Sequence, residues 1–524
     1  MSSRIVYLDN AATTPVDPRV IEAMQECLGE EGAYANPSSV GHLPGRTAGA
    51  RIERARAEVA ALVNAAPEQI IFTSGATESN NLALLGVARF QARPPRHIVT
   101  SRTEHPAVLD ACRQLEREGC AVTYLQPGPG GIVDPAQVAT ALRPDTLLVS
   151  LMHVNNEIGV INDVRAVGHL CRERGVLLHV DAAQSAGKVP LDVQADCIDL
   201  LSLTAHKLHG PKGVGALCVR REPRIGLVPL QFGGGQERGL RSGTLPTHQI
   251  AGLGAAFRIG REQMSSDMQR IASLRARLWQ ALAAIPGVLL NGDPERRVAG
   301  ILNVTVDGVE GETLLFALRD LAVSSGSACA SLNAQPSYVL RALGRSDRQA
   351  QSSLRLSLGR FTTEAEIEYA AGRIETEIRR LRAGEPGSAS SQGAADDPRY
   401  SLEVQRRLVA LPGWGDLPAG PDTLTGHAGD REQGAEVDVS FLVPRDRITA
   451  ARFRAFGCPH LVAAASWTME RLTGTAASQA AQWDWQEVAA ALQVPPAKYG
   501  RLLTLQDAIR AAVRNWPGNT RSTV

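Results

Sequence analysis

At 524 residues the chain is too long for one hydrophobic core and implies two or three domains. Its composition, 44% hydrophobic and 21% charged, is that of an ordinary globular protein, and a net charge of +1 gives no bulk attraction to nucleic acid or an anionic membrane. No run has the length and apolarity of a membrane-spanning helix. The opening MSSRIVYLDNAATTPVDP lacks the apolar core and cleavage site of a signal peptide. Eight scattered cysteines (Cys27, Cys112, Cys120, Cys171, Cys197, Cys218, Cys329 and Cys458), none in a CxxC pair, suit a reducing compartment and predict a cytoplasmic protein.

Along residues 55–220, short apolar runs alternate with helical patterns. QIIFTS, HIVTS, TLLVSLMH, VLLHVD, DLLSLT and GALCV read as buried strands. TESNNLALLGVARFQ, HPAVLDACRQLEREG and VRAVGHLCRERG carry helical apolar spacing. This alternation predicts an α/β fold with a mostly parallel sheet covered on both faces. Residues 260–380 hold the helix MQRIASLRARLWQALAAI, the strand GILNVTV and the helix EAEIEYAAGRIETEIRRLRA, the pattern of a smaller α+β domain. AGEPGSASSQGAADDP, Ala383 to Pro398, has too little apolar surface to fold and reads as a linker. Beyond it, the strand AEVDVSFLV and the helices HLVAAASWTMERLTG, DWQEVAAALQV and LQDAIRAAVRNW predict a third domain.

Several polar residues fall at the carboxyl ends of the predicted strands, the edge where such sheets bind ligands. Lys207, in LTAHKLHGPKGVGAL, could form a Schiff base with pyridoxal phosphate; taken alone it is an ordinary surface charge. Asp181 in HVDAAQS could face the pyridine nitrogen of that cofactor, or simply cap a turn. Gly75, Ala76 and Thr77 in FTSGATESNN open a helix, where backbone N–H groups bind phosphate or where a plain N-cap sits. His105 in SRTEHPAVLD, and Asn155 and Asn156 in MHVNNEIG, end two further strands. Cys329 sits in LAVSSGSACASLN, a serine- and glycine-rich run that offers no apolar niche for a structural thiol and suits a mobile nucleophile.

YLDNAATTPVDP, FTSGATESNN, SRTEHPAVLD, MHVNNEIG, HVDAAQS, TAHKLHGPKGVGAL, GGGQERGLRSGTLP, SSGSACAS and LRLSLGRFT, in that order over residues 4–382, resemble the motif set of the cysteine desulfurases, class V enzymes of pyridoxal-phosphate fold type I. The resemblance implies a desulfurase over 1–382, with a large domain from about 15 to 260 and a small one from 1–14 and 261–382. It makes Lys207 the cofactor-bearing lysine, Asp181 the partner of the pyridine nitrogen, and His105 the stacking and proton-handling group. Asn156 and Gln184 would meet the phenolic oxygen or the substrate. Gly75, Ala76, Thr77, Thr204 and His206 would hold the phosphate, joined by Thr244 from a neighbouring subunit of a homodimer. Arg355 would clamp the substrate carboxylate, with Asn36 beside it. L-cysteine would yield alanine and a persulfide on Cys329, destined for a sulfur-acceptor protein in iron–sulfur cluster assembly or thio-modification. Thr204 and Ala205 stand where many relatives have Ser and Gly.

After the linker at 383–398, AARFRAFGCPHLVAAASWTMERLTG and VAAALQVPPAKYGRLLTLQDAIRAAV, within residues 399–524, are similar to the IscU-like, NifU N-terminal scaffold family. That family's ligand set is degenerate here. Cys458 remains, GHAGDREQG holds no cysteine, and Gly500 and Arg501 replace the His–Cys pair. Cys458 with His460, His427 and Asp430 is weak as a metal site, so no metal is expected; the domain reads as one that has lost cluster assembly and serves as a tethered docking module or accepts sulfur on Cys458. The alternatives are a selenocysteine lyase-type enzyme and a regulatory or scaffold fusion. The Cys329 loop argues against the first, and the intact Lys207, Asp181, His105, Cys329 and Arg355 set argues against the second for the front domain, though not for the last one.

Overall fold

The computed structural model describes residues 5–91, 96–325, 336–383, 397–480, 482–514 and 516. Cys329 and most of the linker therefore lie outside the described residues. A seven-stranded sheet runs in the order Ile70–Thr73, Gly215–Val219, Leu200–Thr204, Leu177–Asp181, Thr146–Met152, His97–Ser101, Ala121–Leu125. Only Gly215–Val219 runs against the others, so six carboxyl ends share one edge. The strand interiors are buried throughout, as their unbroken apolar runs require. Ala121–Leu125, the one strand of this sheet that the apolar pattern did not reveal, is an edge strand with four half-covered positions.

The predicted helix at 268–285 is the second half of a longer one, Thr247–Ala283, which leaves the large sheet and enters the second body. There it joins Glu364–Ala383 over a four-stranded antiparallel sheet ordered Ser324–Ser325, Ser353–Ser357, Ile301–Val306, Val288–Leu290. The N-terminal strand Val6–Tyr7 pairs with Leu321–Ala322, and Asp9 bridges to Ser357. Residues 6–13 are thereby fixed beside the large sheet's ligand edge.

The third body is an antiparallel sheet of Thr423–Asp430, Ala435–Leu442 and Ala450–Phe456, covered by helices that include Pro459–Leu472 and Tyr499–Arg514. Its core admits one residue of the second body, Phe316. Tyr400 meets the Phe316 ring edge-on at 5.5 Å, and the Arg319 guanidinium lies 3.8 Å above the same ring. Lys498 Nζ lies 2.6 Å from Glu312 Oε1, and Thr313 Oγ1 donates to the Gly457 carbonyl at 2.8 Å. The degenerate domain is thus seated on the helix Gly311–Ala317 of its own chain.

Candidate active site

The carboxyl edge of the large sheet opens into a cavity of about 690 Å³ lined by Gly75, Ala76, Thr77, His105, Asn156, Asp181, Gln184, Thr204, His206, Lys207 and Arg355. Eleven of the fourteen residues to which the desulfurase resemblance gives a role converge there. Thr244 and Asn36 are exposed and are not among its lining residues, and Asn36 Oδ1 accepts from the Ser38 N–H at 2.9 Å. Cys329 is the fourteenth.

Each side chain is placed by its strand end. Gly75, at φ +154°, turns the chain from Ile70–Thr73 into the helix Ala76–Phe90. The helix start has no side-chain cap, which leaves its N–H groups for an anion. Gly215 permits this turn, since a Cβ there would sit 2.4 Å from the Leu203 carbonyl and 2.7 Å from Gly75 Cα. Thr204 Oγ1 is buried beside it without a hydrogen-bond partner. Asp181 Oδ2 accepts from Asn80 Nδ2 at 2.7 Å, and Oδ1 accepts from the Ala183 N–H at 2.9 Å, so the carboxylate is fixed from two sides.

His105 caps the helix Pro106–Arg117, its Nδ1 accepting from the Ala107 N–H at 3.1 Å. The ring proton therefore belongs on Nε2. Burial holds the imidazole pKa below its ordinary value, Asp181 opposing and Lys207 assisting. Burial, then Lys207, pushes His206 down to about 4, a neutral ring whose Nδ1 lies 3.2 Å from Thr13 Oγ1. Arg355 is 2% exposed. Its Nη1 donates to the Asn156 carbonyl at 3.0 Å and its Nη2 to Asp9 Oδ1 at 2.8 Å, while Nε has no partner.

Sequence reasoning missed several polar residues around this cavity: Asp9, Asn80, Glu104, Glu157, Lys188 and Tyr338. Burial raises the Glu104 carboxyl well above its usual range, against the Met152 N–H that donates to Oε1 at 2.8 Å. Burial raises Glu157 to about 7, against a hydrogen bond from Ser337 and the Arg355 charge. Five of the six stand inside or directly beside quoted motifs (LDNAATTP, TESNN, TEHPAV, NNEIG and QSAGK), which was the available signal; Tyr338 had none.

The donor set fits pyridoxal phosphate. An uncapped helix start and an orphaned hydroxyl suit its phosphate, a fixed carboxylate its ring nitrogen, and a lysine its aldehyde.

Residues 6–370 match the family Aminotransferase class-V, and residues 416–523 match the NifU-like N terminal domain. The chain belongs to the class-V aminotransferase family, in its cysteine desulfurase branch. It is 59% identical over 381 residues to "Cysteine desulfurase IscS" of Aeromonas hydrophila subsp. hydrophila, covering 73% of this chain and 94% of the relative. Among solved structures, a NifS-like protein aligns with a TM-score of 0.67 at 36% identity over 72% of this chain and all of that one. A structure titled "SspA in complex with cysteine" aligns at 0.62, with 38% identity over 68% and 99% of the two chains.

Proposed function

We propose that the chain is a cysteine desulfurase that converts L-cysteine to L-alanine and leaves the sulfur as a persulfide on Cys329. The observation that carries this reading is the convergence of Lys207, Asp181, His105 and Arg355 on one cavity with an anion cradle at its floor. Bound there, pyridoxal phosphate supplies an electron sink for the substrate α-carbon.

The chain's own groups do the rest. Arg355, anchored by Asp9 and the Asn156 carbonyl, holds the substrate carboxylate. Lys207 Nζ takes the α-proton and returns a proton to carbon. His105, neutral with its ring proton on Nε2, lines the cavity and can donate that N–H to the thiolate of the substrate or of Cys329. The Cys329 thiolate attacks the substrate sulfur. An S–S bond forms as the C–S bond breaks, the electron pair stays on the β-carbon, and protonation there gives alanine. Gly75, Ala76, Thr77, Thr204 and His206 hold the phosphate, with Thr244 of the partner subunit completing it in a homodimer; the exposure of Thr244 outside its own cavity supports that assignment. Asn36 assists at the carboxylate.

The persulfide passes to an acceptor protein serving iron–sulfur cluster assembly or thio-modification, and the seated NifU-like domain acts as a docking module. Seven described cysteines are free, six of them buried, which suits the reducing cytoplasm. Among the described residues no helix is long and apolar enough to cross a membrane. The test is alanine release from L-cysteine together with mass mapping of sulfane sulfur. Persulfide on Cys329 with stoichiometric alanine is expected, and alanine formed by a Cys329→Ala chain at the full rate would overturn the reading.

A further inference from the structure

Behind the cofactor cavity lies a second, narrow one of about 30 Å³, and Lys207 lines both. The second cavity contains another lysine, Lys188, with Ala11, His209, Asp267 and Arg360. Lys188 Nζ donates to Gln184 Oε1 at 3.3 Å. Gln184 Nε2 in turn donates one hydrogen to the Ala11 carbonyl at 2.7 Å. Among the described residues Lys188 makes no ion pair, since Asp267 is engaged by Arg360 at 2.8 Å.

The two contacts specify which way the Gln184 amide points. Turned over, its NH2 would face an ammonium and its oxygen would face the Ala11 carbonyl, a donor against a donor and an acceptor against an acceptor. As placed, the oxygen is spent on Lys188 and one hydrogen on Ala11. The second Nε2 hydrogen remains, and Gln184 lines the cofactor cavity.

We propose that Lys188 is a positioning residue: it fixes the Gln184 amide so that an N–H, not a carbonyl, is presented to the ring oxygen of the cofactor. This rests on the reading of Gln184 as a cofactor contact. A donor at that oxygen draws electron density from the ring and from the nitrogen joined to Lys207, and the cation behind polarises the donor further. Enclosure, then Lys207, pushes the Lys188 ammonium down to about 7, so its charge is sensitive near neutrality. The other titratable groups around it are His206 and His209, both held near 4 by burial, and the Asp267–Arg360 pair.

The test is a pH titration of the visible absorbance of the bound cofactor in the full-length holoprotein, for wild type, Lys188→Met, Gln184→Leu and the double variant. The apparent pKa is expected to rise by about one unit in Lys188→Met, to rise in Gln184→Leu, and to rise no further in the double variant. Lys188→Arg, which keeps a cationic donor, is expected to restore the wild-type curve and serves if the methionine chain fails to fold. A Lys188→Met curve that overlays wild type while Gln184→Leu is shifted overturns the role of Lys188 alone. Additive shifts in the double variant also overturn it, because Lys188 would then act without Gln184. No shift in either single variant overturns the underlying placement of Gln184 at the cofactor.

Discussion

Arg355 Nη2 meets Asp9 Oδ1 at 2.8 Å, across 346 residues of chain, and this contact anchors an arginine that lines the cavity. Burial raises the Asp9 carboxyl and Arg355 draws it back, so the acid depends on the guanidinium for its charge. The planar fork serves two fixed acceptors, Asp9 and the Asn156 carbonyl, and still leaves Nε unpaired. Lysine cannot reproduce that fork. Arg355→Lys is expected to lower kcat/KM for L-cysteine at least tenfold, about 1.4 kcal/mol of lost binding, mostly through KM. Initial rates across cysteine concentrations check it; an unchanged KM sinks the clamp.

Thr204 Oγ1 offers a cleaner separation of fold from function. Its hydroxyl is buried and bonds to nothing. Thr204→Val removes that cost without leaving a cavity, so the apoprotein should melt no lower than wild type. The same change should weaken pyridoxal phosphate binding about tenfold, one charge-assisted hydrogen bond. Calorimetry of the apoprotein and a cofactor titration read the two effects independently.

Much of this arrangement was legible as sequence because buried parallel strands must be apolar runs, and the residues after each run must face the ligand edge. The strand Gly215–Val219 and the helix Glu364–Ala383 fall where the pattern put them. What stayed hidden was set by distant contacts. Asp9 reaches Arg355 only because it bridges to Ser357, a pairing with no local signature. Ala121–Leu125 escaped because four of its five positions are only half covered, whereas the opposite edge strand, Ile70–Thr73, is buried throughout. The helix Thr247–Ala283 read as a shorter one because its face changes neighbours where it passes between two bodies. Nothing in the residues announced that the last domain sits on Gly311–Ala317.

Glu157 makes the pH dependence of stability informative. Its pKa in the fold, about 7, lies above the ordinary 4.5 because the carboxyl is buried. The folded chain therefore keeps a proton that the unfolded chain has lost. Stability falls as pH rises from about 4.5 to about 7, then levels. Glu157→Gln, fixed in the neutral form, should abolish that part of the decline, up to about 3 kcal/mol. Thermal melts of the two proteins at pH 5 and pH 8 compare the slopes; parallel slopes would mean that Glu157 does not hold the proton.

Cys458 connects the seated domain to the chemistry. It is 3% exposed at the start of the helix Pro459–Leu472, and burial pushes its thiol up to about 11, with Lys498 opposing and Glu310 and Glu312 assisting. In this seated state little of it is thiolate, and it is a poor acceptor for sulfur from Cys329. Lys498 is held by Glu312, so one carboxylate both latches the domain and adds to the burial that keeps the thiol protonated. Glu312→Gln removes the latch and one acid from the thiol's surroundings, and both changes act in the same direction. Alkylation of Cys458 by iodoacetamide at pH 8 should be slow in the wild-type chain, well behind the partly exposed Cys197. It should quicken about tenfold in Glu312→Gln. Salt should quicken it in the wild type as well, because a partly exposed ion pair is screened. Alanine release should be unchanged, since Glu312 does not line the cofactor cavity. Equal alkylation rates in the two proteins would show that the Lys498–Glu312 contact does not control access to Cys458.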